Sequence, residues 1–203
     1  MTQPENRVSP QSSSATPEPE HQPQSVKGPR IKKGLVIVNT GNGKGKTTAA
    51  LGVVFRAWGR DMRVRVFQFL KQTGAQFGEQ RAAKKLGIPI ISMGDGFTWR
   101  SKDLDQSGAL AAAQWENAKD ALLNGDDDIV VLDEFTYALT YGWVDTHDAI
   151  EALRKRPPLR HVIITGRNAP QELIDYADLV TEMREIKHPY KDQGIKAQPG
   201  IEF

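Results

Sequence analysis

Chemistry is predicted most clearly by a glycine-rich stretch, Gly41-Asn42-Gly43-Lys44-Gly45-Lys46-Thr47-Thr48. It follows the apolar run 35–38 and precedes a pattern typical of a helix. A turn between a buried strand and a helix presents backbone N–H groups and the positive end of the helix dipole to a polyanion. Lys46 would then bind the outer phosphates, and the Thr47 hydroxyl would bind Mg²⁺. The stretch therefore predicts a site for a magnesium nucleotide.

The loop departs in one position from the usual spacing of phosphate-binding loops. The pattern G-x-x-x-x-G-K-[ST] places Thr40 where the first glycine would stand, and Gly41 follows one place later. We therefore expect the first turn of the loop, and with it the pose of the nucleotide, to differ from the common form. The alternative is a glycine-rich turn that holds no ligand. The strand before it and the helix after it disfavour that alternative.

Two acids, Asp133 and Glu134, follow the apolar run 129–132. A buried parallel strand that ends in an acid can deliver a carboxylate to the Mg²⁺ of a phosphate-binding loop above it. The alternative is a pair of solvated loop acids, which the preceding phosphate-binding loop disfavours. We therefore expect a metal site made of Thr47, Asp133 and Glu134. The spacing leaves open which carboxylate reaches the metal, and whether it does so directly or through water.

The composition limits the class of protein. The chain has 203 residues, of which 38% are hydrophobic and 26% charged, and its net charge is +2. No strong field therefore argues for a nucleic-acid partner or a membrane surface. The absence of cysteine excludes disulfides and thiolate chemistry and fits a reducing compartment. No apolar run approaches the roughly 20 residues of a spanning helix, and we expect a cytoplasmic protein.

Two segments are expected. Residues 1–27 are rich in Pro, Ser, Gln and Glu and poor in apolar groups, so we expect a disordered N-terminal extension. Residues 28–203 would form the functional domain. Short apolar strands alternate there with helices, and candidate ligands stand at the carboxyl ends of strands. This order predicts an α/β fold, with a mainly parallel sheet and helices on both faces.

The pattern also predicts where the elements lie. Helices are expected over 46–58, 76–86 and 104–123, over 146–156 with Thr146 as a possible cap, and up to 177 after Asn168 as N-cap. Strands are expected over 63–70, 88–91, 161–165 and 179–186, in addition to the two apolar runs above. The remainder, 187–203, would be an irregular polar tail.

One predicted loop carries two large aromatic residues, Phe97 and Trp99, in the stretch Met93-Gly94-Asp95-Gly96-Phe97-Thr98-Trp99. Aromatic rings in a glycine-rich loop need an apolar surface to cover them. That surface is either the domain itself or a ligand. Sequence alone leaves both possibilities open.

Several stretches together resemble the ATP:corrinoid adenosyltransferases of the P-loop class. They are Thr40 to Thr48 of the loop, Gly96-Phe97-Thr98-Trp99, Val131-Leu132-Asp133-Glu134, Ile164-Thr165-Gly166-Arg167-Asn168-Ala169-Pro170, Lys187-His188-Pro189-Tyr190 and Gly194-Ile195-Lys196-Ala197-Gln198-Pro199-Gly200-Ile201-Glu202-Phe203. The similarity runs from about Lys33 to the C-terminus. The family shares the departure at Thr40, so this feature agrees with the resemblance.

The resemblance implies a P-loop NTPase domain of RecA-like, three-layer architecture. It implies transfer of the 5′-deoxyadenosyl group of ATP to the Co(I) of a reduced corrinoid, either cob(I)yrinic acid a,c-diamide or cob(I)alamin, with release of triphosphate. Mg²⁺ or Mn²⁺ would assist the reaction. An electron donor such as a reduced flavoprotein would reduce the corrinoid to Co(I). The protein would be a homodimer. The nucleophile would be cobalt, so the protein's task would be positioning and electrostatics.

The resemblance also implies roles for individual residues. Thr40 to Thr48 would bind ATP, with Lys46 and Glu134 acting on the triphosphate and its metal. Arg167, which follows a strand, would be a further cation for phosphate or ribose oxygens. Phe97 and Trp99 would lie beneath the corrin and displace the lower axial ligand of Co(II), which eases its reduction.

Two other classes of function remain open at this stage. One is a P-loop ATPase or kinase that acts on the γ-phosphate. The other is a nucleotide-gated protein that carries a corrinoid without converting it. The aromatic loop and the matching C-terminal ending favour the adenosyltransferase over both.

Replacing Trp99 tests the role that the resemblance gives to the aromatic loop. We expect Trp99→Ala to leave ATP binding nearly intact and to impair adenosylation most when the assay starts from Co(II), because an undisplaced lower ligand makes reduction harder. Rates from Co(II) and from pre-reduced Co(I), with ATP affinity measured in parallel, check this. Loss of ATP binding would show instead that the loop is scaffolding.

Overall fold

The computed structural model describes residues 31–72, 74, 77–94 and 104–202. Almost all of these belong to one compact unit, residues 32–203. The predicted disordered extension over 1–27 lies outside the described residues, as do Phe97 and Trp99. Within the described ranges, no helix combines the length and apolar character that crossing a bilayer requires.

Strands and helices alternate along the described chain. The strands are β1 (Val36–Thr40), β2 (Val64–Gln72), β3 (Ile90–Gly94), β4 (Ile129–Asp133), β5 (His161–Thr165) and β6 (Leu179–Glu182). The helices are α1 (Lys46–Trp58), α2 (Gly78–Leu86), α3 (Leu104–Asn124), α4 (Phe135–Thr140), α5 (Thr146–Lys155), α6 (Gln171–Tyr176) and α7 (Pro189–Gln193). The strands and helices that the sequence predicts appear in the predicted order, and α7 is a helix that was not predicted.

The strands form one parallel sheet in the order β3-β2-β4-β5-β1-β6. Strand β5 lies between β4 and β1, and pairs Ile163 with Val131 on one side and with Ile37 on the other. All carboxyl ends therefore lie at the same edge. The end of β1, where the glycine-rich loop begins, is separated by a single strand from Asp133, the last residue of β4, and from Glu134 after it.

Two apolar cores cover the two faces of the sheet. Alternate residues along each strand point to opposite faces. One core joins Val38, Leu132 and Ile164 of the sheet to α3, α4, α5 and α6. The other joins Val131 and Ile163 to α1 and α2. Four-residue apolar runs such as 129–132 are required because the strands are buried on both faces. The predicted sheet with helices on both faces is therefore confirmed, as three layers.

Several predicted element ends were wrong. Helix α5 is capped by Asp145, whose side chain accepts a hydrogen bond of 2.8 Å from the Asp148 N–H, while Thr146 is the first helical residue. Pro170, not Asn168, is the N-cap of α6, because Asn168 has a φ of 51° in the preceding turn. Strand β6 stops at Glu182, and the predicted irregular tail contains α7.

Candidate active site

The glycine-rich loop connects β1 to α1 at the carboxyl edge of the sheet. Gly41 has a φ of 92° and Gly45, the N-cap of α1, a φ of 105°, a region that disfavours residues with a Cβ. The outer side of the loop is covered by the chain that leaves β6. The Gly43 N–H donates to the Met183 carbonyl at 2.6 Å, and a Cβ on Gly43 would lie 2.7 Å from the Arg184 carbonyl. The glycines of the loop are thus needed for close contact with the segment after β6, as well as for the close approach of a phosphate.

Lys46 is held against its own loop. Its Nζ donates to the carbonyl oxygens of Gly41 at 2.9 Å and Gly43 at 2.8 Å, and the residue is 7% exposed. Burial lowers the pKa of Lys46, and the nearby charge of Glu134 partly offsets this effect. An ammonium has three donors, so two hydrogen bonds to the loop leave one for an anion. The loop therefore holds the Lys46 ammonium, which the sequence predicted to bind the outer phosphates, in a fixed position.

Asp133 is the centre of a buried hydrogen-bond network. Its Oδ1 accepts from the hydroxyls of Thr47 at 2.7 Å and Thr165 at 2.8 Å. Its Oδ2 accepts from Gln68 Nε2 at 3.2 Å. The residue is 1% exposed, and a buried carboxylate requires such donors. Asp133 thus fixes the Thr47 hydroxyl in place from below.

Gln68 and Thr165 are site residues that the sequence analysis did not assign to the site. Gln68 is fully buried between Phe67 and Phe69, and it is in register with Asp133 on the neighbouring strand. Its Oε1 accepts from Ser92 Oγ at 2.9 Å, so the network continues into β3. The sequence shows Gln68 as a polar residue within an otherwise apolar part of a strand. Its position opposite Asp133 is revealed only by the register between the two strands.

Glu134 is the carboxylate with unused acceptor capacity. Its backbone has a φ of 60°, and its N–H donates to Thr165 Oγ1 at 2.9 Å. Its Oε2 is buried and accepts no hydrogen bond from the residues that the structure describes. Burial, together with the adjacent Asp133, raises the pKa of Glu134 to about 7, although Lys46, Lys71 and Arg167 oppose the shift. A buried carboxylate without a donor is a position that a cation would stabilise.

The chemistry of the three predicted metal ligands suits a divalent cation. Thr47, Asp133 and Glu134 offer only oxygen atoms, which Mg²⁺ and Mn²⁺ prefer. Among the described ranges, no group of three or more His, Cys, Asp or Glu could hold a metal ion. Proteins commonly bind Mg²⁺ through one or two carboxylates plus substrate phosphates. The buried, unpartnered Oε2 of Glu134 is the observation that supports the fit.

Arg167 lies at the mouth of the site. It is exposed, and its backbone carbonyl accepts from Thr136 Oγ1 at 2.6 Å, which joins the end of β5 to α4. Its charge lies close enough to Glu134 to lower the pKa of that acid. A cavity of about 570 Å³ opens beside the loop. It is lined by Asn42, Arg167, Glu182, Arg184, Glu185 and Lys191.

The remaining predicted loop residues lie outside the lining of this cavity. Thr40 is buried, and its hydroxyl accepts from the Ala169 N–H at 3.2 Å. This contact ties the start of the loop to the turn that carries Arg167. Lys44 is exposed and forms an ion pair of 2.8 Å with Glu202. Thr48, on the first turn of α1, is exposed.

The family model described as ATP:corrinoid adenosyltransferase BtuR/CobO/CobP matches residues 32–203. The chain belongs to this family. The predicted resemblance is therefore confirmed, and the adenosyltransferase match covers the whole of the loop and both acids. The departure of Thr40 from the usual loop spacing lies within the matched range.

Named relatives of the adenosyltransferase agree with the family model. A corrinoid adenosyltransferase from Sinorhizobium sp is 43% identical over 175 residues, covering 85% of this chain and 81% of that protein. The corrinoid adenosyltransferase of Escherichia coli K12 is 40% identical, covering 85% and 87%. Corrinoid adenosyltransferase CobA of Salmonella typhimurium LT2 is 42% identical with the same coverage.

The fold of the adenosyltransferase recurs in a distant solved structure. Flagellar accessory protein FlaH from Methanocaldococcus jannaschii matches with a TM-score of 0.51 and 10% identity, covering 75% of this chain and 72% of that chain. At this identity the likeness shows the fold alone. It agrees with the predicted α/β fold.

The raised pKa of Glu134 predicts a pH-dependent stability. A carboxyl whose pKa is raised on folding stabilises the fold while it is protonated, and this contribution is lost as the pH rises from 4.5 to above about 7. Without nucleotide or metal, Glu134→Gln should therefore raise the free energy of unfolding by about 3 kcal/mol at pH 8 and by less than about 1 kcal/mol at pH 5. Urea unfolding of both proteins at the two pH values measures this. An equal effect at both pH values would contradict the burial of an ionisable Glu134.

Proposed function

We propose that the protein transfers the 5′-deoxyadenosyl group of ATP to the Co(I) of a reduced corrinoid and releases triphosphate. The acceptor would be cob(I)yrinic acid a,c-diamide or cob(I)alamin. The observation that carries the proposal is the family match over 32–203, supported by relatives named corrinoid adenosyltransferase at 40% to 43% identity. The catalytic domain would comprise residues 28–203, with the first 27 residues as an extension.

The proposed reaction needs no proton acceptor from the protein. The electron pair of Co(I) forms a bond to the C5′ carbon of ATP, the bond from C5′ to its oxygen breaks, and that pair leaves with the triphosphate. The barrier depends on how closely cobalt and carbon are held together and on how well the departing charge is stabilised. The protein's contribution is therefore positioning and electrostatics.

The loop suits stabilisation of that leaving group. Lys46 is oriented by the Gly41 and Gly43 carbonyls, and the N-terminus of α1 follows directly. Arg167, which lines the cavity beside the loop, would add a second cation. The charges that ordinarily act on a γ-phosphate would here act on the whole polyphosphate as it departs.

The metal assignment follows from the hydrogen bonds around the two acids. Thr47 and Glu134 would hold Mg²⁺ or Mn²⁺, because the Glu134 carboxylate has free acceptor capacity and both Asp133 oxygens already accept hydrogen bonds. Asp133 would orient the Thr47 hydroxyl and act on the metal through it. When bound, the cation would neutralise charge on the triphosphate.

The remaining parts of the proposal rest on the resemblance. Phe97 and Trp99 would remove the lower ligand of the corrinoid, and a donor such as a reduced flavoprotein would supply the electron that converts Co(II) to Co(I). A homodimer is the proposed assembly. The lack of cysteine supports the cytoplasm as the compartment.

Product identity tests the proposal directly. Under anaerobic conditions with ATP, Mg²⁺ and chemically reduced cob(I)alamin, we expect the absorption of a cobalt–carbon bond to appear and phosphorus NMR to show triphosphate. The a,c-diamide acceptor, assayed in parallel, identifies the preferred substrate. Formation of ADP and phosphate would instead indicate a γ-phosphate ATPase or kinase. Corrinoid binding without product would indicate a carrier.

A further inference from the structure

A short chain of hydrogen bonds begins at Asp133 and leads away from the acid site. Gln68 Nε2 donates to Asp133 Oδ2 at 3.2 Å. Gln80 on α2 lies behind Gln68, and its Nε2 donates to Gln68 Oε1 at 3.0 Å. Gln80 Oε1 in turn accepts from the Phe77 N–H at 3.2 Å. We call Gln68, Gln80 and the Phe77 N–H the amide relay.

The direction of the amide relay is fixed at both of its ends. A backbone N–H can only donate and a carboxylate can only accept, whereas a glutamine amide can be turned either way. The Phe77 N–H holds the side-chain oxygen of Gln80, which leaves the Gln80 NH₂ group for Gln68. Gln68 must then turn its oxygen to Gln80 and its NH₂ group to Asp133. A backbone N–H on α2 therefore sets the orientation of the amide that meets the acid.

Ser92 on β3 adds a second donor to the middle of the amide relay. Its hydroxyl donates to Gln68 Oε1 at 2.9 Å and accepts from Gln80 Nε2 at 3.0 Å. Both lone pairs of Gln68 Oε1 are thus used, and an inverted Gln68 amide would bring its NH₂ group against that of Gln80. Gln68 is fully buried, so no water would replace a lost hydrogen bond. The Gln68 amide therefore has one stable orientation.

The orientation of Gln68 decides how Asp133 is held. While Asp133 Oδ2 is bound to Gln68, its Oδ1 accepts from the Thr47 hydroxyl at 2.7 Å. A hydroxyl that donates its only proton to an acid keeps its oxygen lone pairs for a cation. A carboxylate held through Oδ1 alone could turn about its terminal bond, because such torsions have broad minima. The Thr47 hydroxyl would then lose its fixed direction.

We infer that Gln68 is a positioning residue for the magnesium nucleotide, and that it acts through Asp133 on the Thr47 hydroxyl. The inference rests on the proposed use of Mg²⁺ with ATP at this site. It makes α2 part of the support for the cation, although α2 supplies none of the proposed ligands. Loss of a group that orients a metal ligand commonly lowers metal affinity about 10- to 100-fold. Because Gln68 is two hydrogen bonds from Thr47, we expect an effect at the lower end of that range.

The Mg²⁺ dependence of ATP binding tests this role in the absence of corrinoid. Titration calorimetry gives the dissociation constant of ATP with EDTA and with excess Mg²⁺, and the first divided by the second is the magnesium ratio. Gln68→Met keeps the length of the side chain and removes the amide. We expect it to lower the magnesium ratio about tenfold, while the dissociation constant with EDTA stays within about twofold, because only the hold on a metal ligand is lost.

Replacement of Gln80 tests the direction of the amide relay. Gln80→Glu keeps the shape and can still accept from the Phe77 N–H, but it has no NH₂ group for Gln68. The Gln68 amide would then turn its oxygen to Asp133, so we expect the magnesium ratio to fall about tenfold. An added negative charge acting directly on the cation would have the opposite effect. Gln80→Met forces no such reversal, because Ser92 still donates to Gln68, and should lower the ratio less than about threefold.

The matched control is Gln114→Met. Gln114 is also a fully buried glutamine, but its Nε2 donates to the Ile91 carbonyl at 2.7 Å. Its replacement should leave the magnesium ratio unchanged. An unchanged ratio in folded Gln68→Met or in Gln80→Glu would overturn the inference. So would ATP binding that weakens equally with Mg²⁺ and with EDTA, or a magnesium ratio of one in the unaltered protein.

The two proposals can fail separately. If the unaltered protein forms triphosphate and a cobalt–carbon bond, but Gln68→Met has the same magnesium ratio, the function stands and Gln68 is wrongly assigned. If the magnesium ratio falls as expected and no triphosphate forms with cob(I)alamin, the proposed reaction fails while the positioning role stands.

Discussion

One buried carboxylate, that of Asp133, holds together the elements on which the site depends. It accepts hydrogen bonds from Thr47 on α1, Thr165 on β5 and Gln68 on β2. A carboxylate taken out of water is costly without donors, so the three neighbours and the acid stabilise one another. The strand order makes this possible, because β4 lies between β2 and β5. The phosphate-binding loop, the acid and the sheet are thereby fixed as one unit.

This arrangement explains how a common nucleotide-binding loop can serve a reaction in which the whole triphosphate is displaced from a sugar carbon. Both oxygens of Asp133 accept hydrogen bonds. Glu134 next to it is half-buried, its buried Oε2 accepts no hydrogen bond from the described residues, and its pKa is raised to about 7. The two acids therefore have different tasks: one orients a hydroxyl and the other can meet a cation. Lys46, which is bonded to its own loop, and Arg167 would bring positive charge to the polyphosphate chain, and the proposed displacement asks for no nucleophile from the protein. A substrate cobalt attacking a sugar carbon requires only that.

The sequence predicted those parts of the site that are local in the chain. The strand, loop and helix around Lys46 and the apolar run before Asp133 follow from short-range pattern, and the motifs predicted the family. Gln68 and Thr165 were missed, because their role depends on the register between neighbouring strands. The contact of Gly43 with Met183 and Arg184 could not be foreseen, since it joins segments about 140 residues apart. The predicted caps at Thr146 and Asn168 were wrong because a neighbouring residue takes the position in each case. Asp145 also has a capping side chain, and Pro170 has a fixed backbone angle.

The most direct measurement uses ATP labelled with ¹⁸O at the oxygen that bridges C5′ and the α-phosphorus. Adenosyl transfer breaks the bond between carbon and this oxygen, so the account predicts that mass spectrometry finds the label in triphosphate. Triphosphate without the label would show cleavage between phosphorus and the bridge. Labelled ADP together with unlabelled phosphate would show attack at the γ-phosphorus. Either result would contradict a site organised around departure of the whole polyphosphate from a sugar carbon.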